Sequence, residues 1–473
     1  MGFEARGLSE NRLQGLGAKR DLQLLRGSVP VFVEVRQELR GILPNLRVCA
    51  GAIKNVTEHR HFVDPELSPD RLISPNRRVG LSTRTVFKVI AVANELIAGE
   101  RPKLKVGLIG TGFMGKTHVF GFVTAQRVFD LPFEIVLHSV ADRTAELASR
   151  AARTLGFANS SGDWRSLIAD PEIDMIDITT PNALHKEMAL AAIALGKHVY
   201  CEKPLAPLAS EAREMADAAE AAGAKTQVGF NYLCNPMMAL AQELIRSGEL
   251  GEIRSYRGIH AEDYMGDPET PFTFRHDPVG GGALADIGSH ALATAEYLIG
   301  PITEVMGDCV NVIASRPDGS GGRRVVETDD IARALLRFAN GATGSIEASW
   351  VATGQKMQHD FEVYGTKGSL VFTQDRFNEL HFYSTSDPPG RRGFRRIEAG
   401  PDHEPYGLFC LGAGHQLGFN DLKAIEIARY VEAIAGKRPE PYNFRAGQRV
   451  QELVEAISRS SSMDTWIRLD RRV

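Results

Sequence analysis

Lys105-Val-Gly-Leu-Ile-Gly-Thr-Gly-Phe-Met-Gly115 runs from a short apolar stretch into three spaced glycines. Lys103–Gly110, with Val and Ile at its centre, has the pattern of a strand buried in a parallel sheet. Gly110-x-Gly112-x-x-Gly115 follows it and precedes Met114–Ala125, which can continue as a helix. In that setting the three glycines differ in what they allow. Gly110 makes the tight turn, Gly112 lets a pyrophosphate approach the main chain, and Gly115 lets helix and strand pack closely. Phosphates at the helix N-terminus would meet unpaired N–H groups. Phe113 and Met114 lie on the same turn and join the candidate cofactor site. A glycine triplet alone says little in a chain with 46 glycines, and the competing reading is a purely structural turn; the flanking strand and helix favour the dinucleotide.

Working outward, Glu134–Ala141, Ile173–Thr179, His198–Cys201 and Thr226–Phe230 read as strands. Between them Thr144–Leu155, Ala183–Ala194 and Ser210–Ala222 read as helices. This alternation predicts an α/β doubly wound parallel sheet of Rossmann type over residues 103–230. After about residue 250 the character changes. Glu252–His260 alternates as a strand, Ala285–Ile299 reads as a helix, and Glu304–Ala314, Ile331–Phe338, Thr343–Trp350, Asp360–Tyr364, Ser369–Phe372 and Glu379–Tyr383 follow as strands. Asn340-Gly341 signals a hairpin in which both turn positions need positive φ. Pro388–Tyr406 reads as a loop, and Asp421–Ala435 and Ala446–Ser461 as closing helices. Residues 231–473 are therefore expected to form an α+β domain on a large, mainly antiparallel sheet, for substrate binding and oligomerisation.

A chain of 473 residues, 43% hydrophobic and 24% charged, is expected to form more than one soluble domain. A net charge of -4 argues against a nucleic-acid partner. Cys49, Cys201, Cys234, Cys309 and Cys410 are odd in number and dispersed, which fits a reducing cytoplasm and neither a disulfide framework nor a metal site. No apolar run is long enough to span a bilayer, so no membrane partner is expected. Residues 1–103 carry 17 Lys and Arg against 11 Asp and Glu, the opposite balance to the remainder. Residues 1–102 show no sustained periodicity. They are read as a poorly ordered extension, or as upstream sequence translated from a start placed too early. Arg77-Arg78 lies too far inside the chain to make a good twin-arginine export signal.

Asp142 ends the second strand, 27 residues after Gly115. A carboxylate there accepts both ribose hydroxyls of NAD and repels the 2′-phosphate of NADP. Arg143 could instead embrace that phosphate, so NAD is expected and NADP is not excluded. Thr180, Pro181, Asn182 and His185 leave the third strand at the carboxyl edge of the sheet, where ligands bind in such folds, although a helix-surface histidine is the bland alternative for His185. Glu202 and Lys203 follow the fourth strand at the same edge. A lysine there can bond a substrate oxygen and stabilise charge as a carbonyl forms; elsewhere it would be a surface lysine. Asp286 and His290, four apart on the expected helix, share one face. His290 suits proton abstraction near neutrality, with Asp286 raising its pKa or holding its tautomer. The alternative is a capping Asp beside a partly buried His.

With these motifs the chain from about Lys103 onward resembles the glucose–fructose oxidoreductase / inositol dehydrogenase / MocA family. The likeness rests on Gly110–Gly115, Thr180-Pro-Asn182 with His185, Gly196-Lys-His-Val-Tyr-Cys-Glu-Lys-Pro-Leu205 and Asp286-Ile-Gly-Ser-His290. Phe230-Asn-Tyr232, Asp267-Pro-Glu-Thr-Pro271 with Arg275, Arg392-Gly-Phe-Arg395 and Gly418-Phe-Asn-Asp421 look like the anhydrosugar and inositol dehydrogenase branches. The resemblance implies catalysis by Lys203, Asp286 and His290, cofactor contacts that include Glu202, and a substrate site that includes Tyr232 and Arg275. It implies oxidation of a secondary hydroxyl of a sugar, anhydrosugar or cyclitol, and pairing into a homodimer or homotetramer through the open sheet face. Relatives that oxidise only transiently and then eliminate, and relatives that bind the cofactor without catalysis, mark the alternatives. Two positions depart from the family pattern. Ala293 stands where many relatives have Asp, and Leu233 where many have Arg.

Overall fold

The computed structural model describes residues 101–440 and 442–469; the readings placed on residues 1–100 lie outside the described residues. The chain enters on β1 (Lys103–Ile109) and turns at Gly110–Gly112 into α1 (Phe113–Val128). Then follow β2 (Glu134–Ala141), α2 (Ala145–Leu155), β3 (Asn159–Ser161), α3 (Trp164–Ala169) and β4 (Met175–Ile178). The half closes with α4 (His185–Ala194), β5 (His198–Cys201), α5 (Ala209–Ala222) and β6 (Thr226–Val228). All neighbours pair in parallel, in the order β3-β2-β1-β4-β5-β6. Strand order reverses between β1 and β4, the switch point at which the carboxyl ends of the strands open a crevice. The strands are buried because Leu104, Val106, Leu108, Ile176 and Ile178 meet helices on both faces. The three-residue β3 and short α3 escape the sequence reading, since Asn159–Ser161 carries no apolar residue.

The second half opens with α6 (Pro236–Arg246), unread in the sequence, which Asn235 caps by accepting from Met237 N. After β7 (Ile253–Ala261) comes a π turn, Leu284–Gly288, continuous with α7 (Ser289–Ile299). The single expected helix over 285–299 is therefore wound in two ways. Strands β8 (Ile302–Val310), β9 (Ser315–Pro317), β10 (Arg323–Val325), β11 (Ile331–Phe338), β12 (Thr343–Ser349), β13 (Gln358–Gly365), β14 (Gly368–Phe372), β15 (Glu379–Ser384) and β16 (Arg395–Glu398) follow. The last lies inside the stretch expected to be a loop. Helices α8 (Tyr406–Phe409), α9 (Phe419–Ile434) and α10 (Phe444–Met463) and strand β17 (Ile467–Arg468) complete the described chain. Among the described residues nine strands form one sheet in the order β16-β15-β14-β13-β7-β12-β11-β8-β17, antiparallel except for β7 against β12. Along β11 buried and exposed residues alternate, with Ala332, Ala334, Leu336 and Phe338 against the helices.

The β11–β12 connection corrects one expectation. Gly341 has φ 89°, but Asn340 is not left-handed. Instead Asn340 Oδ1 accepts from Ala342 N (3.0 Å), a side-chain turn that removes the need for a second positive φ. Helix α9 does not stay with the second sheet. It returns to pack on α1, joining Phe122 and Ala125 to Ala424, Ile427 and Val431. The contact is close at Gly121, where an added Cβ would lie 2.7 Å from Ile427.

Candidate active site

The carboxyl edge of the parallel sheet and the helix-covered face of the second sheet enclose a cleft of about 1340 Å³. That exceeds the span of about 300–1,000 Å³ usual for one small ligand, and suits a dinucleotide with a second molecule beside it. At one end lies the glycine turn. Gly110 has φ 98°, and a Cβ there would lie 2.9 Å from Thr179 O. A Cβ on Gly115 would lie 2.3 Å from Gly110 O, which is why helix and strand can pack only with glycine. Gly112 differs: a Cβ there would meet nothing within 4 Å, so its front is open to the cleft. Gly112 is also the N-cap of α1 and offers no side chain to its first N–H groups. An open, uncapped helix N-terminus beside Phe113 and Met114 fits a pyrophosphate.

Asp142 sits at the end of β2, where its Oδ2 accepts from Thr111 N (3.1 Å) and Thr111 Oγ1, and its Oδ1 from Arg143 N (2.7 Å). The carboxylate is thus fastened to the glycine turn, and both Asp142 and Arg143 line the cleft. Thr180, Pro181 and Asn182 line it too, with Asn182 Nδ2 donating to Gly280 O (2.9 Å) across the two halves.

His185 does not face the cleft. It is buried, with Nε2 2.9 Å from Thr180 O and Nδ1 3.1 Å and 3.2 Å from Pro204 O and Leu205 O. It packs between the β4–α4 turn and the loop after Lys203, and as a neutral ring it donates its single N–H to a main-chain carbonyl on one of the two sides. Burial pushes its pKa down.

Glu202 lines the cleft but spends its carboxylate inward. It meets Lys423 Nζ (3.1 Å) and His118 Nε2 (2.8 Å), and accepts from Lys203 N (3.2 Å). A Cβ on Gly229 would lie 2.3 Å from Glu202 Oε1, so these contacts need glycine there. His118 Nδ1 faces Asp177 (2.9 Å), while Lys423 also meets Glu426 (2.7 Å) and Tyr200 (2.9 Å). Every side chain of this ionic network is buried. Burial works against the Glu202 charge, but Lys423 and His118 outweigh it and hold the carboxyl far below its usual range. The side chain expected to contact the cofactor thus lines the cleft and is also tied into a buried network beneath it.

At the other end Lys203 Nζ donates to Asp286 Oδ1 (2.9 Å) and to Asp286 O (2.7 Å). Asp286 Oδ2 accepts from Tyr264 OH (2.7 Å) and Arg275 Nε (2.8 Å). Burial again opposes the charge, and Lys203 and Arg275 override it, so Asp286 stays ionised well below neutrality. The expected partnership of Asp286 with His290 is not formed. Charged donors claim the carboxylate because such bonds are roughly twice as strong as neutral ones, and the π turn carries the Asp286 carbonyl to Lys203 as well. His290 lies instead among rings, its centroid 4.7 Å from Tyr232, 5.8 Å from Phe230, 5.5 Å from His260 and 6.2 Å from His359. Its pKa is pushed well down, by burial first and then by Lys203, His260 and His359, rather than raised by Asp286. Tyr232 and Arg275 both line the cleft.

Sequence reasoning missed His260, Glu262, Tyr264, His359, Phe419 and the ionic network. One signal was available: inward positions of β7 run Tyr256, Gly258, His260, then Glu262, turning polar at the strand's end, and His359 is the cross-strand partner of His260. Among the described residues no cluster of His, Cys, Asp and Glu could hold a metal ion, and no helix is long and apolar enough to cross a membrane.

Residues 104–230 match the family model for an oxidoreductase family with an NAD-binding Rossmann fold, and residues 238–371 match the GFO/IDH/MocA C-terminal domain. The chain is 39% identical over 385 residues to levoglucosan dehydrogenase of Pseudarthrobacter phenanthrenivorans, covering 77% of this chain and 97% of that protein. It is 31% identical over 273 residues to scyllo-inositol 2-dehydrogenase (NAD(+)) of Bacillus subtilis, covering 57% and 73%. A solved levoglucosan dehydrogenase in complex with NADH and levoglucosan is similar with a TM-score of 0.76 at 40% identity, over 78% of this chain and 100% of that one.

Proposed function

We propose, for a chain that belongs to the GFO/IDH/MocA oxidoreductase family, that it oxidises a secondary hydroxyl of a sugar, anhydrosugar or cyclitol with NAD as acceptor. The observation that carries this is a shared cleft: Lys203, fastened by Asp286, and the imidazole of His290 line the same cavity as the open glycine turn. Gly110, Gly112, Phe113 and Met114 would hold the pyrophosphate, Asp142 the ribose, and Thr180, Pro181 and Asn182 the rest of the dinucleotide. When bound, the nicotinamide supplies the hydride acceptor. Lys203 donates to the substrate oxygen and stabilises the charge that gathers there. His290, neutral because it is buried, takes the hydroxyl proton. Asp286 orients Lys203, and Tyr232, Tyr264 and Arg275 border the substrate.

The test is a screen of levoglucosan, scyllo- and myo-inositol and simple aldoses with NAD and NADP, following the absorbance of the reduced nicotinamide. Steady accumulation with one of them is expected. Sugar consumption without accumulation would point instead to transient oxidation followed by elimination, and cofactor binding with no turnover to a regulator. Cofactor choice makes a separate expectation. Asp142 repels a 2′-phosphate, so kcat/KM is higher with NAD, and Asp142→Ser shifts preference toward NADP. A wild type that prefers NADP would assign the decisive role to Arg143.

The same reading treats residues 103–230 as the cofactor domain, residues 231–473 as the substrate and oligomerisation domain, and residues 1–102 as dispensable. It places the enzyme in the cytoplasm as a homodimer or homotetramer. The exposed Leu335 on the open sheet face supports pairing there.

A further inference from the structure

Each oxidation of a hydroxyl releases one proton into the site. The C–H bond gives its electron pair away with the hydride, the O–H bond breaks, and an N–H bond forms on His290. That ring is a poor place to keep a proton, being buried and close to the Lys203 charge. Asp286 offers no exit, since Lys203, Arg275 and Tyr264 occupy its carboxylate. We propose that Glu262 is the outlet for this proton, receiving it from His290 by way of His260 and handing it to water in the cleft. The inference rests on the proposed oxidation.

Four observations carry it. The His260 and His290 rings both line the cleft with centroids 5.5 Å apart and no direct hydrogen bond between them, a gap that one cleft water can span. His260 Nε2 is 3.1 Å from Glu262 Oε1. His260 Nδ1 is buried and meets no other side chain, only the Ile287 main chain, so it is not committed to another acid–base group. Glu262 is the member that reaches solvent: its side chain is 21% exposed and lines the cleft, against 1% for His260. The third histidine, His359, is 4.8 Å from His260 but its Nε2 meets only the Thr294 hydroxyl (3.1 Å), so it ends in no proton acceptor.

The charges facing Glu262 tune it for this. Burial pushes its carboxyl up, the charge of Asp286 on the π turn and that of the adjacent Asp263 push the same way, and Lys203 and Arg275 pull back. The balance stands at about 7. Such a group takes a proton and returns it near neutrality, which neither Asp286 nor His290 can. The carboxylate must be ionised to accept, so oxidation should speed up as pH rises through about 7 and level above it.

Glu262→Gln tests this in the full chain, because glutamine can keep the hydrogen bond to His260 while removing the ionisation. With levoglucosan as the probe substrate and NAD, kcat in weak buffer should fall about a hundredfold, the low end for a positioned proton-transfer group, KM should hold, and the rise near neutrality should vanish. Imidazole buffer, a small diffusible base, should restore kcat, and Glu262→Asp should retain the pH dependence. A purely structural role for Glu262 would leave the rise in place and give no response to imidazole; either result overturns the proposal. Infrared titration gives a reading independent of turnover: a carboxyl band that titrates near neutrality in the wild type and is missing from Glu262→Gln. With that band present and no sugar turned over, the oxidation fails as a function while the acid–base group stands. Without the band, Glu262 is not the outlet.

Discussion

Lys203→Ala and His290→Ala each lower kcat by about two to four orders of magnitude, the range for a positioned acid–base group, while NAD binding stays nearly unchanged. The two residues act from different elements on different atoms. Lys203 Nζ is already anchored 2.9 Å from Asp286 Oδ1 and contributes a fixed positive charge where the carbonyl oxygen forms. Removing it leaves Asp286 its bonds to Tyr264 and Arg275, so the pocket keeps its shape and loses the charge. His290 lies edge-on to Tyr232 and Phe230, and its truncation leaves a hole beside those rings in place of the proton acceptor. Because its pKa is depressed, the ring is neutral at and above neutrality and charges only in acid. Its own ionisation therefore adds no limb to the rate profile near the ordinary histidine value. The measurement is steady-state turnover beside cofactor titration by fluorescence. Near-normal turnover in either variant would remove that residue from the reaction; lost cofactor binding would mean that the fold, not the chemistry, had been broken.

How much of this lay open in the sequence differs by element. Gly110, Gly112 and Gly115 carry their meaning locally, since each answers to the few residues around it, and β1, α1 and their turn follow from them. β11 is legible for the same reason: its alternation is a statement about one strand and its two faces. Lys203 could be placed at the sheet edge because it follows a strand directly. What failed were statements about pairs. Asp286 and His290 were joined by helical spacing, yet the local winding is a π turn, and stronger donors from residues 203, 264 and 275 compete for the carboxylate. His185 has the same chemistry whether it faces a ligand or a carbonyl, and only the position of the Pro204 loop decides which. Asp421–Ala435 reads as a closing helix, and nothing in its pattern says that Lys423 is buried against Glu202 at the parallel sheet's edge.

That lysine sets the largest stability effect. Lys423→Met is expected to destabilise the protein by about 3–5 kcal/mol, the usual cost of removing one partner from a buried ion pair. Against a typical total of about 5–15 kcal/mol, such a loss shows plainly in urea or thermal unfolding. Lys423 is fully buried and meets Glu202, Glu426 and Tyr200 at 3.1, 2.7 and 2.9 Å. Without the ammonium, Glu426 keeps the Tyr200 hydroxyl and a long contact from Gln227, and Glu202 is left with His118 and the neighbouring Lys203 for compensating charge. Methionine fills most of the volume, so lost packing contributes little and lost charge dominates. The sign with pH follows from Glu202, whose pKa is held below that of an unfolded glutamate. Its contribution is present above the ordinary carboxylate range and is lost as pH falls through that range toward the depressed native value. The deficit of Lys423→Met should therefore shrink in acid, where the variant's stranded carboxylates can take up protons. Glu426→Gln added to Lys423→Met should recover part of the loss, because one uncompensated buried charge is then gone. Additive losses in that double variant, or a Lys423→Met protein as stable as the wild type, would mean that the network contributes nothing to joining α9 and α1. If the network does join them, Lys423→Met should also lower kcat modestly, since Glu202 accepts from the main-chain N–H of Lys203 at 3.2 Å and a displaced carboxylate would move the catalytic lysine with it.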